Sequence, residues 1–201
     1  MIDLFGAAML RVYLAGPDVF LPNAHEMARA KEAICAANGL VGLSPFNPGL
    51  DVSLAPDLLW RRIFADNAAL MAGADVVIAN LTPFRGASAD AGTLVEIGWF
   101  WGAGKTVFGY SNAPAPFAQR TRALGAVWPD ELPGVTVEEF GLADNLMIPG
   151  AIAGSGGLFA APEDGRARAL DDLDLFEALV RRVAARSRGA VGTGDEPEQR
   201  P

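Results

Sequence analysis

Residues 75–110 read DVVIANLTPFRGASADAGTLVEIGWFWGAGKTVFGY, and their alternation of patterns decides the fold. Asp75–Leu81 is a continuous apolar run, rich in β-branched residues and too short for a helix, as expected of a strand covered on both faces. The loop 82–90 leads into a predicted helix over Ala91–Ala103, which Gly104 terminates before a further strand at Thr106–Tyr110. Two buried strands joined through a helix form a parallel pair, because parallel neighbours require a crossover between them.

The same alternation continues toward the N-terminus. Arg11–Ala15 (RVYLA) is a strand ended by Gly16-Pro17, Asn23–Asn38 a helix capped by Asn23 and stopped by Gly39, and Val41–Phe46 a second strand. A loop rich in Pro and Gly separates it from a helix over Pro56–Ala72. The order β-α-β-α-β-α-β predicts an α/β fold with a doubly wound parallel sheet. Beyond Tyr110 the pattern is irregular, with a helix expected over Pro116–Leu124, a Gly/Ala-rich stretch at Gly150–Ala161 and a last helix at about Leu170–Arg188. Residues 1–10 read as a leader, with Met9 an alternative start, 11–188 as one domain and 189–201 as a disordered tail. There is no internal repeat.

Composition narrows the function classes. The chain has 24 acidic against 16 basic residues, a net charge of −8, which argues against nucleic-acid polymers as partners because clustered cations hold phosphates. One cysteine, Cys35, and one histidine, His25, leave no internal disulfide and no metal site of Cys or His ligands, and both residues read as structural. No apolar run approaches the roughly 18 residues that a membrane span needs, and the N-terminus lacks signal-peptide features, so a cytoplasmic location is expected. Gly102–Lys105 and Gly154–Gly157 match neither the phosphate-loop nor the dinucleotide fingerprint and are not read as nucleotide-phosphate sites.

Ligands of open parallel sheets bind at the carboxyl ends of the strands. Tyr13 and Gly16-Pro17-Asp18 lie at the end of the first strand, Asn47 after the second, and Arg85, Asp90 and Glu96 follow the third. Asp75 opens its strand and therefore lies at the opposite edge. Glu96 stands among Leu94, Val95, Ile97, Trp99, Phe100 and Trp101, an apolar setting in which a carboxylate requires a reason. Desolvation, with a donor such as the Tyr13 hydroxyl to hold the charge, suits attack on an anomeric carbon. The alternative is a helix-edge Glu reaching solvent. For Asp90 the alternative is an N-cap, for Asp75 a turn residue, and for Asn145 and Met147 loop and core respectively.

In Val12–Phe20 (VYLAGPDVF), Ala74–Leu81, Pro83–Gly86, Asp90–Thr93, Glu96–Gly98 and Asn145–Met147, the chain resembles the nucleoside 2-deoxyribosyltransferases across about residues 11 to 150. The resemblance implies a flavodoxin-like three-layer fold, a homo-oligomer, 2'-deoxynucleosides and nucleobases as small-molecule partners, and double displacement without a metal or cofactor. It places the nucleophile at Glu96, its orienting tyrosine at Tyr13, and the carboxylates that bind and protonate the base at Asp75 and Asp90. Asn145 and Met147 resemble residues lent by a neighbouring subunit, with apolar Leu146, Met147 and Ile148 available for the contact. Phe20, Asn47 and Arg85 lie in loops resembling those around the base, and Gly16 is a further expected substrate-binding residue. Two alternatives stay open. A hydrolase of deoxynucleoside 5'-monophosphates would need a phosphate cradle where Gly16-Pro17-Asp18 offers an acid, and a catalytically silent binding module would not need the carboxylates.

Overall fold

The computed structural model describes residues 9–46, 49–50, 53–125 and 136–191. Five parallel strands form one sheet: β1 (Arg11–Ala15), β2 (Val41–Leu43), β3 (Val76–Asn80), β4 (Val107–Tyr110) and β5 (Phe159–Ala160), in the order β2-β1-β3-β4-β5. Side chains alternate along the strands and so feed two separate cores. On one face Val12, Leu14, Val76, Ile78, Phe108 and Tyr110 pack with Cys35 of α1 (Ala24–Ala37) and with Phe176, Leu179, Val180 and Val183 of α6 (Asp174–Val191). On the other, Tyr13, Ala15, Val77, Ala79 and Val107 meet Met71 of α2 (Pro56–Gly73), Ile97 and Phe100 of α3 (Ala91–Gly102), and Ile148 and Ile152 of α5 (Met147–Gly154). A short α4 (Phe117–Gly125) follows β4. The result is the expected three-layer, doubly wound α/β fold.

The chain leaves β1 toward β2 on one side, then continues on the other side through β3 and β4. The reversal opens a crevice between the carboxyl ends of β1 and β3. Gly16 and Asn80 flank it, immediately past β1 and at the end of β3. Among the described residues, no helix is long and apolar enough to cross a membrane.

Several expectations need adjustment. β2 ends at Leu43 rather than Phe46, and α6 begins at Asp174 rather than near Leu170. Asn23 occupies the cap position of α1, but its side chain accepts no capping hydrogen bond. The Gly/Ala-rich region contains most of α5 and all of β5, elements too short to show a period. Ile148 is 6% exposed and belongs to the core of its own chain, so it is not available for a subunit contact. The leader through residue 8 and the tail from residue 192 lie outside the described residues, whereas residues 189–191 continue α6.

Gly157 acquires a role that its Gly-rich context does not announce. Its amide donates to the Ile152 carbonyl at 2.9 Å, and a Cβ there would run into the backbone carbonyl of Val107 on β4. Backbone cannot yield as a side-chain tip can. Gly157→Ala is therefore expected to cost about 1–3 kcal/mol or more, as overpacking does, read as a lowered urea midpoint. A parental midpoint would mean that α5 and β4 can separate freely.

Candidate active site

Tyr13 lies in the middle of β1, fully buried, and pairs with Val77 across the β1–β3 ladder. Its side chain points to the face covered by α3, where the ring packs against Phe100 at 5.7 Å between centroids. On α3, Thr93, Ile97 and Phe100 form the buried side, and Glu96 lies beside them at helical spacing. The Tyr13 hydroxyl donates to Glu96 Oε1 at 2.6 Å. Glu96 is thus held by the fold rather than reaching freely into solvent.

Burial pushes the Glu96 carboxyl up to about 7, the Tyr13 hydrogen bond opposes the rise, and the charge of Asp90 adds to it. Burial and the adjacent Glu96 push the Tyr13 phenol upward as well, so it remains a protonated donor. The site therefore contains a carboxyl group whose charge is sustained by one phenol and opposed by its surroundings.

Asp90 caps α3. Its Oδ2 accepts from the amides of Gly92 (3.0 Å) and Thr93 (3.2 Å), the favourable placement for an anion at a helix start. Its effect on Glu96 brings the two carboxylates into one electrostatic site. Asp75 is not brought to that cluster. It precedes β3 at the amino edge of the sheet, and its carboxylate accepts the Arg11 amide at 2.7 Å.

Around the crevice, Phe20 stacks on Phe84 with centroids 5.5 Å apart and planes 11° apart, and the Arg85 guanidinium lies 4.5 and 4.7 Å from the two ring centroids. Arg85 holds a left-handed φ of 57°, a conformation uncommon for a residue with a side chain. Gly16 has φ 153°, and a Cβ there would meet Asp18 Oδ2 at 2.6 Å and Asn80 Cβ at 2.8 Å. Asn47 lies outside the described residues. Asn145 donates from Nδ2 to Glu138 Oε1 at 2.6 Å and accepts the Met147 amide, while the Met147 side chain is exposed.

Sequence reasoning misses a buried polar group behind the crevice. Lys31 Nζ pairs with Asp18 Oδ2 at 2.5 Å, Asn80 donates to Asp18 Oδ1 at 3.2 Å, and Asn80 accepts the Thr82 amide at 3.1 Å. Burial lowers the Lys31 ammonium, and Asp18 opposes that shift. The signal is present in the pattern, since Lys31 occupies the Ala24, Met27, Cys35 stripe of α1, a position otherwise apolar. Phe84 is missed because its partner Phe20 is distant in sequence.

A sequence model of the nucleoside 2-deoxyribosyltransferases matches residues 12–147. The chain belongs to that family. The match runs from β1 to the start of α5 and so spans Tyr13, Asp90, Glu96 and Asn145. A 2-desoxiribosyltransferase from Leishmania mexicana has a similar structure, with a TM-score of 0.58 and 25% identity over 88% of this chain and 97% of its own. A conserved protein from Enterococcus faecalis V583 shares the fold at a TM-score of 0.52 and 17% identity, covering 88% of this chain and 99% of the other. An uncharacterized protein from Schizosaccharomyces pombe is 32% identical over 201 residues, 87% of this chain and 89% of its own length.

The elevated Glu96 carboxyl carries a stability signature. The native state retains a proton that the unfolded chain, near its ordinary 4.5, releases, so stability falls as pH rises from 4.5 through about 7. Glu96→Gln removes that ionisation. Its unfolding midpoint relative to the parent should rise between pH 5 and pH 8, and a difference independent of pH would contradict the assigned burial.

Proposed function

We propose that the protein transfers the 2-deoxyribosyl group between nucleobases by a retaining double displacement through Glu96, with hydrolysis when water replaces the second base. The partly buried hydrogen bond of 2.6 Å from Tyr13 to Glu96 carries this reading. It presents one carboxylate oxygen in a fixed direction, leaves the other for a reacting carbon, and maintains an anion that its setting would otherwise neutralise.

In the first step a Glu96 oxygen bonds to the anomeric carbon as the bond from that carbon to the base nitrogen breaks. The electron pair leaves with the base, and Asp90, which must carry a proton when the nucleoside is bound, passes that proton to it and becomes carboxylate, because a neutral base departs more readily than its anion. In the second step a ring nitrogen of the incoming base attacks the same carbon, Glu96 departs as carboxylate, and the proton of the incoming base passes to Asp90. Two inversions give retention. Asp90 suits the proton role better than Asp75, since it lies near enough to Glu96 to act on it and, among the described residues, no donor reaches its Oδ1, whereas Asp75 stands at the amino edge of the sheet. The stacked Phe20–Phe84 pair with Arg85 supplies planar apolar surface for the base.

The products separate this reading from its alternatives. Deoxyinosine with adenine, thymidine with adenine, and the corresponding 5'-monophosphates are incubated with the protein and resolved by chromatography. New deoxyadenosine is the expected product. Release of base from the monophosphates alone would identify the hydrolase, and no turnover of any substrate would leave a binding module. Glu96→Ala should lose both transfer and hydrolysis by about a thousandfold or more, with its fold retained. Activity near that of the parent would remove Glu96 from the nucleophile role.

The reading extends to a homo-oligomer with shared sites. Exposed Val95 and Trp99 flank Glu96 on α3, Trp60 and Phe64 are exposed on α2, and Leu146 and Met147 are exposed at α5, an unusual amount of large apolar surface for a lone chain. If Asn145 serves a neighbour, inactive Glu96→Ala and Asn145→Ala proteins should regain activity when refolded together, because some mixed sites hold both native residues. A mixture that exchanges subunits yet stays inactive would confine each site to one chain.

A further inference from the structure

We propose that Arg120 and Asp144 are positioning residues of the candidate site, a buried clasp that sets the distance between the segment carrying Asp90 and the segment carrying Asn145. The proposal rests on the catalytic reading above for its kinetic consequence, but on geometry for the clasp itself.

Asp144 is a fully engaged carboxylate with a side chain only 3% exposed. Its Oδ1 accepts from Ser88 Oγ at 2.6 Å and from the Asn145 amide at 2.8 Å, and its Oδ2 accepts from the Ala89 amide at 2.9 Å. Ala89 immediately precedes Asp90, and Asn145 immediately follows Asp144. One carboxylate therefore grips both segments by the residues adjoining their chemical groups. Arg120, on α4, closes the ring from behind. Its Nε donates to the Ala87 carbonyl at 2.8 Å, Nη2 donates to Ala143 at 2.6 Å, Nη1 donates to Ala115, and Nη2 lies 3.9 Å from Asp144 Oδ2. The planar guanidinium fork satisfies three carbonyls from three separate segments while compensating the buried charge, which a flexible ammonium would do less well.

The pair ties loop segments at 87–89, 115 and 143–145 and makes no hydrogen bond to a strand of the sheet among the described residues. Beyond it the Asn145 segment is tied again, with Glu138 accepting from Asn145 Nδ2 and, at 3.0 Å, from the Leu146 amide. The segment is thus held stiff, and the clasp fixes where the stiff piece stands relative to Asp90, whichever subunit's site Asn145 enters. Asp144→Asn is nearly isosteric but cannot reproduce this. The three donors around the carboxylate need acceptors on both oxygens, and the amide turns an N–H toward one of them.

The test uses the full-length protein in two arms. In hydrogen–deuterium exchange, Asp144→Asn should accelerate exchange in segments 87–94 and 143–150 together while segments 11–20 and 174–186 remain parental. In kinetics with deoxyinosine and adenine, kcat should fall about 10- to 100-fold, the penalty of a small misplacement, with KM little changed. Arg120→Ala should reproduce both effects, and Arg120→Lys, which keeps the charge and part of the carbonyl contacts, should recover a share of each. Acceleration in one segment only, or evenly throughout the fold, would overturn the clasp, as would a parental kcat in Asp144→Asn. Should the parent itself turn over no deoxynucleoside, the catalytic reading fails, and exchange alone decides the clasp. If Asp144→Asn does not fold, the Arg120 pair of variants carries both arms.

Discussion

The register that pairs Tyr13 with Val77 in the β1–β3 ladder turns the phenol toward α3, and the arrangement of the candidate site depends on it. Successive strand residues face opposite layers, so a slip of one position would send Tyr13 into the core beneath α1 and α6 and leave Glu96 without its donor. Register is well determined here because β3 is buried along its whole length and pairs in parallel with a strand on each side. The two apolar cores that hold the sheet together therefore also aim the polar group that, among the described residues, donates to the Glu96 carboxylate.

The two carboxylates of the site receive opposite treatment from the same helix. Asp90 sits at the start of α3, where unpaired backbone amides supply it with donors, whereas Glu96 lies farther along, where the amides are committed to the helix and, among the described residues, the donor is a phenol. The contrast taken alone favours the anion at Asp90 and the neutral form at Glu96, so the Tyr13 hydrogen bond is what opposes protonation of Glu96. Behind them the Lys31–Asp18 pair and Asn80 fill the space past β1 with a closed polar network. Among the described residues, the ammonium there is already paired with an acid.

What is legible in the sequence follows from local periodicity. The runs at β1, β3 and β4 reveal a parallel sheet without reference to any contact, and Glu96 is conspicuous as a charge inside an apolar helix. The N-cap alternative for Asp90 is also legible, and the structure contains that cap together with proximity to Glu96. What escapes is set by pairings between distant segments. Asp18 finds Lys31 and Asn80, Phe20 finds Phe84, and Asp144 finds Ser88, none of which a period of 2 or 3.6 encodes. Asp75 illustrates the converse. Its position at the opening of β3 already argues for the amino edge, and the structure places it there, bound to Arg11.

Water is the remaining determinant of what such a site does. Glu96 is desolvated from below by Tyr13, Ile97 and Phe100, yet its flank on α3 is formed by Val95 and Trp99, which the single chain leaves exposed together with Met147. A covalent deoxyribosyl ester would, under the proposed reading, be partitioned between base and water according to which reaches the anomeric carbon, so the exposure of that flank would bear on the ratio of transfer to hydrolysis. Under the proposed reading, a neighbouring subunit that covers the flank would perform two tasks at once, delivering Asn145 and excluding water. Assembly and chemical outcome would then be coupled through the same apolar surface, and dilution to monomers would shift any residual reaction toward hydrolysis before abolishing it.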